Sequence, residues 1–473
     1  TFSSGISWKD WIAGVGGCET AYVAFDKDNP VLMYAGCYQG IISEYNLELD
    51  NSKNIMAYPS MGLGEPSDEQ KYRFNWNAPI LVSQHDSDVI YHAANKLLKS
   101  SDRGINWEEI SPDLTKNKKE NMGPGGGPIT NEGAGGEVYH TIYYIAESPH
   151  SKEVIYAGAD DGLVHITTDG GNSWKNISPE LEEGMINSIE VSPHNPSTVY
   201  IAYNRYKFDD FKPYILKSTD YGSSWKMLGT GIEENSFVRV VREDIEKEGL
   251  LYAGTERGIY MSTDEGISWH KWQRNLPVVP ITDLVVHKND LVVATQGRSF
   301  WILDDLSPLR EYSDEMRSKN IHMFDVEDSH KVLRSAMRRQ GPMGKNPYYG
   351  TEVKFFLRDI DEEDSYLPIP RNEMMNRVAR TVDMERAAKL MTSESAPQLA
   401  SVGGNKGGND GRRGGRRRKG SSLNTKNSRG YIIFNPSNDK NLFSVKVSKK
   451  NLEYNLENKS KDYEYLPNNF NLT

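Results

Sequence analysis

Between residues 72 and 298, acids, arginines and aromatics recur in short polar segments, most of them just after runs of β-branched and aromatic residues. They are Asp160 with Asp161, Arg205 with Asp209 and Asp210, Glu256 with Arg257, and Arg298. Two further segments join them: one holds Tyr72, Arg73 and Trp76, and the other is a Gly-rich stretch from Asn121 to Glu137 followed by His140. Carboxylic groups that converge from several segments can act as acid and base on a glycosidic bond. A retaining pair sits about 5 Å apart and an inverting pair about 6.5–9.5 Å apart. Asp161, Asp210 and Glu256 are the candidate catalytic acids. Tyr72, Arg73, Trp76, His140, Asp160, Arg205, Asp209, Arg257 and Arg298 are candidate ligand contacts, offering aromatic faces beside charge, as a carbohydrate or peptide site would. The competing reading is that Asp-Gly and Asp-Asp in such segments are ordinary turn formers.

Other chemistries find no support. The ten histidines form no HxH or HExxH pattern, so no metal site is expected. No P-loop or dinucleotide fingerprint occurs, because the glycines near residue 125 include Pro124 and open no helix, and no cofactor is expected. The net charge of -10 argues against nucleic acid as a partner. No run of eighteen apolar residues exists to form a transmembrane segment.

The elements that must carry these residues are short strands. Pro30–Gly36, Val89–Ala93, Val154–Gly158, Thr198–Ala202 and Leu250–Gly254 share one form, and Asp290–Thr295 is a shorter sixth. Each is a β-branched or aromatic run bounded by turn residues, and each has a further strand before and after it. Interleaved with them is a second repeat, Ser/Thr-x-Asp-x-Gly-x-x-Trp, at Ser100–Trp107, Thr167–Trp174, Ser218–Trp225 and Ser262–Trp269. In each copy the Asp (Asp102, Asp169, Asp220, Asp264) accepts hydrogen bonds from its own turn, and the Gly supplies a backbone conformation closed to other residues. The Trp (Trp107, Trp174, Trp225, Trp269) leads into the next strand and buries its ring between neighbouring sheets. Four antiparallel strands per unit, repeated about six times, predict an all-β fold, a β-propeller of four-stranded blades. A sixth unit, Ile281 to Asp304, shows no such turn and no evident fourth strand.

The repeated turn resembles the Asp-box, or BNR repeat, of sialidases, sortilin-type receptors and two-propeller xyloglucanases. That resemblance implies turns between the third and fourth strands of each blade, on the rim opposite the functional face, with purely structural Asp residues. The segments Tyr72–Ile80, Gly126–Thr130, Asp160–His165, Asn204–Asp210, Phe237–Asp244 and Gln296–Asp305 further resemble a bacterial sortilin/VPS10-like family labelled "glycosyl hydrolase" and common in Bacteroidetes. The match runs in order from residue 8 to residue 357. It implies a secreted, periplasmic or outer-surface protein that acts on or binds a polysaccharide or oligosaccharide, as a glycoside hydrolase or a binder. The alternative is a non-enzymatic, sortilin-like propeller that captures a protein or peptide partner. A sialidase clamp of Arg205, Arg239 and Arg298 is disfavoured, because the Arg-Ile-Pro signature is missing.

The remaining features concern the ends. Ser3 to Trp8 reads as the tail of another repeated turn, so the chain is expected to begin inside a repeat, with the propeller extending to residue 310. Cys18 and Cys37 flank a predicted hairpin and fall nearly opposite each other, which allows either a cross-strand disulfide or two buried thiols. Residues 311–370 read as a linker and the start of a small β-sandwich, and residues 371–430 as a charged helix followed by Gly/Arg-rich low complexity. Residues 431–473 have no assignment.

Overall fold

In a computed structural model of the chain, the four Ser/Thr-x-Asp-x-Gly-x-x-Trp turns close through one set of hydrogen bonds. The hydroxyl of Ser100, Thr167, Ser218 or Ser262 donates to its Asp at 2.7–2.8 Å and accepts from the Gly N–H at 2.7–2.9 Å. The same Asp accepts from the backbone N–H and the side chain of the residue before the Trp. These bonds to the charged form hold the carboxyls of Asp169 and Asp220 down at about 2, the largest contributions coming from Ser173 and Ser224. The Gly residues have φ between 81° and 102°, where other residues are strained.

The structure describes residue 15, residues 22–27, 29–60, 62–123, 129, 137–319, 321–326, 351–357 and 431–434. Six antiparallel sheets with strands in chain order form the blades of a β-propeller. Blade one comprises Val23–Phe25, Leu32–Gly36, Ile42–Asn46 and Asn51–Asn54, and blade two Ile80–Val82, Ile90–Ala93, Leu97–Ser100 and Glu108–Glu109. Blade three runs Ile142–Ser148, Ser151–Ala159, Val164–Thr167 and Lys175–Asn176, and blade four Met185–Val191, Val199–Arg205, Asp210–Ser218 and Lys226–Leu228. Blade five is Val238–Glu243, Leu251–Thr255, Gly258–Ser262 and His270–Lys271. Blade six, Ile281–His287, Asp290–Thr295 and Phe300–Leu303, has three strands among the described residues. Each repeated turn links the third strand of its blade to the fourth. The repeat tail expected at Ser3 to Trp8 lies outside the described residues, as do the charged helix and the Gly/Arg-rich tract expected within residues 371–430.

The core lies between blades. Tyr156, Val164 and Ile166 of blade three pack with Ile186, Ile189 and Ile201 of blade four, and Tyr200, Ala202 and Ile215 of blade four pack with Val238, Val241 and Leu251 of blade five. Each such aliphatic side chain contributes roughly 1.5–3 kcal/mol on full burial. Two polar devices add to the apolar contacts. Trp107, Trp174 and Trp225 donate their indole N–H at 2.7–2.8 Å to Ile55, Ile110 and Ile177, each just past the last strand of the preceding blade. These three rings are half-buried; Trp269 alone of the four is fully buried, and its N–H has no partner. At the turns after the first strands, His85, His150 and His194 each donate to a carbonyl of the next blade, at Ser148, Ser192 and Asp244.

A second unit starts at Asp304. It contains two short helices, Ser307–Arg310 and Asp314–Ser318, the latter capped by Ser313, which accepts from the Met316 N–H. Ile321–Met323, Thr351–Leu357 and Tyr431–Phe434 form a three-stranded antiparallel sheet. Lys354 pairs with Asp305 at 2.5 Å. Cys37 is disulfide-bonded; Cys18, the other cysteine in the chain, lies outside the described residues.

Candidate functional site

Antiparallel order fixes which loops share a face. The first strand of each blade begins at the end where its second strand turns into its third, and the repeated turns sit at the other end. The Asp160, Arg205, Glu256 and Arg298 loops therefore share one face with the links that enter each blade. On that face the candidate residues separate into groups.

The largest group gathers Arg73, His140, Asp160 and Asp161 between blades two and three. Asp161 and His140 are fully buried, and His140 Nδ1 donates to Asp161 Oδ2 at 2.6 Å. The same oxygen accepts from the Lys116 N–H at 2.7 Å, so one carboxylate fastens two parts of the link between these blades. His140 holds a φ of 62°, and its carbonyl accepts from Arg73 Nε at 3.1 Å. Arg73 also pairs with Asp113 at 2.6 Å. Asp160 accepts from the N–H and hydroxyl of Thr141 at 3.0 and 2.7 Å, and from Asn75 at 3.4 Å. Burial first, and the charge of Asp161 second, push the Asp160 carboxyl well above the usual carboxylate range. Beside them Glu183 collects Lys116, Lys118 and the Tyr139 hydroxyl at 2.8–2.9 Å. Burial would raise the Glu183 carboxyl, but those three bonds outweigh it and hold the group at about 2.

A second group sits on the loop of blade four. Arg205 pairs with Asp210 at 2.8 Å and with Glu182 at 2.5 Å, and its Nε donates to the Glu183 carbonyl. Asp210 also accepts from the Tyr214 hydroxyl at 2.7 Å. Burial opposes ionisation of Asp210, but Tyr214, the Lys212 N–H and Arg205 prevail and lower it. Asp209 is exposed in the left-handed region with φ 58°. Aromatics surround this loop: Tyr206 stacks on Phe237 at 5.2 Å, Phe211 lies 6.3 Å from Phe237, and Arg205 lies over Phe208.

In the third group, on blade five, Arg239 Nε and Nη2 both donate to one oxygen of Glu256, at 2.9 and 2.7 Å, and the guanidinium lies over Phe237 at 5.0 Å. Thus Asp161, Asp210 and Glu256 each have partners of their own, and no hydrogen bond joins any two of them. Tyr72 is drawn away to Glu109 on the outermost strand of blade two at 2.7 Å. Trp76 is half-buried edge-on to Tyr38, with its N–H unpartnered. Arg257 and Arg298 are exposed.

Two features of the axis had no counterpart in the sequence reading. The first strands of blades three, four, five and six each carry one unpaired residue near their start: Tyr143, Asn187, Arg239 and Thr282. A little deeper, Arg242 of blade five reaches across the axis. Its Nη2 donates to the Tyr144 hydroxyl of blade three at 2.9 Å and to Asp283 of blade six at 2.8 Å, and its Nε donates to the Leu284 carbonyl. Glu190 of blade four lies 3.5 Å from the same guanidinium. Burial pushes the Glu190 carboxyl up to about 7 although Arg242 opposes it. The available signal for Arg242 was a second arginine, three residues after Arg239 and directly after the apolar pair Val240-Val241 of a predicted strand.

Among the described residues no group of three or more His, Cys, Asp or Glu is placed to hold a metal ion, and no helix is long and apolar enough to cross a membrane. No protein-family profile matches the chain, and no curated protein does. Among solved β-propellers, it is similar to the GH74 xyloglucanase from Xanthomonas campestris at 17% identity and a TM-score of 0.43, with 61% of this chain and 46% of that one covered. The chain thus spans about half the length of that xyloglucanase. It is also similar to YCF48 bound to D1 peptide, at 13% identity and a TM-score of 0.39, covering 60% of this chain and 78% of that one.

Proposed function

We propose that this propeller binds glycans on the face that carries the second-to-third strand loops, without hydrolysing them. The observation that supports this most is the state of its charged groups. Arg205 is neutralised by Asp210 and Glu182, and Arg239 by Glu256, while Tyr206, Phe208 and Phe211 are left half-buried or exposed beside them. Capture of a peptide carboxylate needs an arginine with charge to spare, and beside these aromatics there is none, the exposed Arg257 and Arg298 being on the loops of blades five and six; sugar rings stack on aromatic faces flanked by paired polar groups. A glycosidase needs one carboxyl kept protonated and a second facing it across the sugar. Asp210 is held ionised by its partners, and Asp161 is buried with its oxygens occupied; Asp160, the carboxyl raised toward neutral pH, is likewise buried and bonded to Thr141 and Asn75. The Asp-box reading of the four turns belongs to the same proposal, as does a sortilin-like propeller placed outside the cytoplasm. The disulfide at Cys37 supports that placement, since such bonds persist in oxidising compartments.

The test is a polysaccharide panel scored for both binding and reducing-end release, run on the wild type and on Phe211→Ala, Asp161→Asn, Asp210→Asn and Glu256→Gln. Binding that weakens in Phe211→Ala, without release in any sample, is the expected result. Release by the wild type that disappears in Asp210→Asn or Glu256→Gln would replace binding with catalysis. No binding and no release would move the assignment to a protein partner.

A further inference from the structure

The unpaired residues of the innermost strands repeat at one level of the axis in four successive blades. In each case two residues of the first strand face one of the second: Tyr143 falls between the pairs Ile142–Ala159 and Tyr144–Gly158, and Asn187 between Ile186–Tyr203 and Ser188–Ala202. Arg239 and Thr282 are placed in the same way in blades five and six. Such a bulge re-aims its side chain out of the pleat, and bulges concentrate beside binding and catalytic sites. Tyr143 and Asn187 lie close to Arg239. Blades three and five are not neighbours, yet the Tyr143 phenol feels the Arg239 charge as well as Tyr206, and its hydroxyl is hydrogen-bonded with Asn77. Asn187 is held between its neighbours: its Oδ1 accepts from Asn204 Nδ2 at 2.9 Å and its Nδ2 donates to the Arg239 carbonyl at 2.6 Å. Behind it, Asn204 is 1% exposed, and its Oδ1 is a buried acceptor with no donor.

Beneath this level a side-chain network crosses the axis. Arg242, with its bonds to Tyr144, Asp283 and the Leu284 carbonyl, spans the axis one to three residues further along the same strands. At about 3.3 Å per residue, that places it roughly 3–10 Å below the bulges. A ligand that enters at the bulges meets this network before any deeper part of the axis. The charges at this level cancel, because Arg239 is bonded to Glu256, and the remaining side chains, Tyr143, Asn187, Thr282 and Asn77, are uncharged. Amides and hydroxyls of this kind both donate and accept, as do the vicinal hydroxyls of a sugar.

We propose that Tyr143, Asn187, Arg239 and Thr282, with Asn77 and Glu256, form an end-on site for the terminal residue of a neutral glycan chain. This rests on the glycan reading above and specifies where the ligand sits and which part of it is recognised. The aromatic loop of blade four, Tyr206 to Phe211, then borders the site and is positioned to contact the sugars behind the terminal one.

The experiment uses the whole chain and neutral gluco-, manno- and xylo-oligosaccharides of three and six residues, titrated in solution and also immobilised through either end. The expected result has three parts. At least one series binds; its affinity is the same within about twofold for three and six residues; and binding survives immobilisation through one end only. Tyr143→Phe, Asn187→Ala and Thr282→Val should each weaken binding by tenfold or more, while the unfolding temperatures of Tyr143→Phe and Thr282→Val stay close to that of the wild type. If Asn187→Ala does not fold, the two shape-conserving variants decide. Binding unchanged in these variants but weakened in Phe211→Ala would overturn the axial site and leave the glycan reading standing, as would binding that survives immobilisation through both ends. Failure of every series to bind would overturn both.

Discussion

Trp225 of blade four donates its indole N–H at 2.7 Å to the carbonyl of Ile177, the residue just past the outermost strand of blade three. Trp107 and Trp174 make the same bond to Ile55 and Ile110, so three consecutive blade boundaries are tied by one device. Trp269 is 2% exposed, and its N–H finds no acceptor. Trp→Phe keeps much of the ring but removes the donor, and an intact bond of this kind is worth about 0.5–1.5 kcal/mol, with about 1–3 kcal/mol lost when a partner is left unsatisfied. Trp225→Phe should therefore cost about 1–2 kcal/mol more than Trp269→Phe in urea unfolding. Equal losses would show that the indole bond contributes nothing beyond ring packing.

Glycine has two separate roles in these turns, and two substitutions distinguish them. Gly222 has φ 81°, and a Cβ there would lie 2.4 Å from the Ile177 side chain of blade three. Gly170 has φ 71°, and a Cβ there would meet nothing within 4 Å. Left-handed backbone alone costs about 1–2 kcal/mol for a residue with a Cβ. Gly170→Ala should lose about that much. Gly222→Ala must also push two blades apart, and a loss of more than about 3 kcal/mol is expected. Thermal unfolding of the two variants side by side measures the difference.

The repeated turns made the propeller legible, because Asp102, Asp169, Asp220 and Asp264 each need the same hydroxyl two residues before and the same Gly two residues after. The axis was not legible. A bulged Asn187 or Thr282 reads in sequence as one more residue of a strand, since the missing partner is on another strand. The candidate acids were legible as loop residues, but their state was not. Nothing local in the sequence says that Asp161 is consumed by His140 and the Lys116 N–H, or that Glu256 is held by Arg239, because those partners lie 17 to 45 residues away. The histidine ties were within reach. Ser83-x-His85, Ser148-x-His150 and Ser192-x-His194 stand at one point of three successive blades, and each Ser hydroxyl accepts from its His N–H at 3.1–3.2 Å.

Cys37 gives a test that needs no ligand. It is disulfide-bonded in the structure, and a bond of this kind contributes about 2–4 kcal/mol, mainly by restricting the unfolded chain. Unfolding in the presence of a thiol reductant should shift to lower temperature, and Cys37→Ser should reproduce the reduced protein's transition without further response to reductant. A titration of the denatured, unreduced chain that finds two free thiols would remove the bond from the description.

Glu190 sets the sign of the pH dependence on the alkaline side. Its carboxyl is pushed by burial from 4.5 to about 7 in the fold, so the folded protein binds this proton more tightly than the unfolded chain does. The stability it contributes is then full below about 4.5 and is lost as pH rises through about 7, a change of about 3 kcal/mol at most. Asp160, also raised by burial, acts in the same direction. Glu183 acts oppositely: its carboxyl is lowered to about 2, so its contribution is present above about 4.5 and fades as pH falls toward about 2. The imidazole of His92, lowered by burial to about 4, and that of His165, also lowered by burial, oppose Glu190 and Asp160 below about 6.5, because the unfolded chain takes up those protons first. The chain should therefore change little in stability between about pH 4.5 and 6.5 and lose stability from there toward pH 8. Glu190→Gln cannot release that proton, and it keeps a hydrogen-bonding group beside Arg242. Its urea midpoint should fall less between pH 5 and pH 8 than that of the wild type, with Asp160 accounting for the slope that remains. A Glu190→Gln midpoint that falls between pH 6.5 and pH 8 as much as that of the wild type would show that the Arg242 charge outweighs burial and keeps Glu190 ionised on the axis.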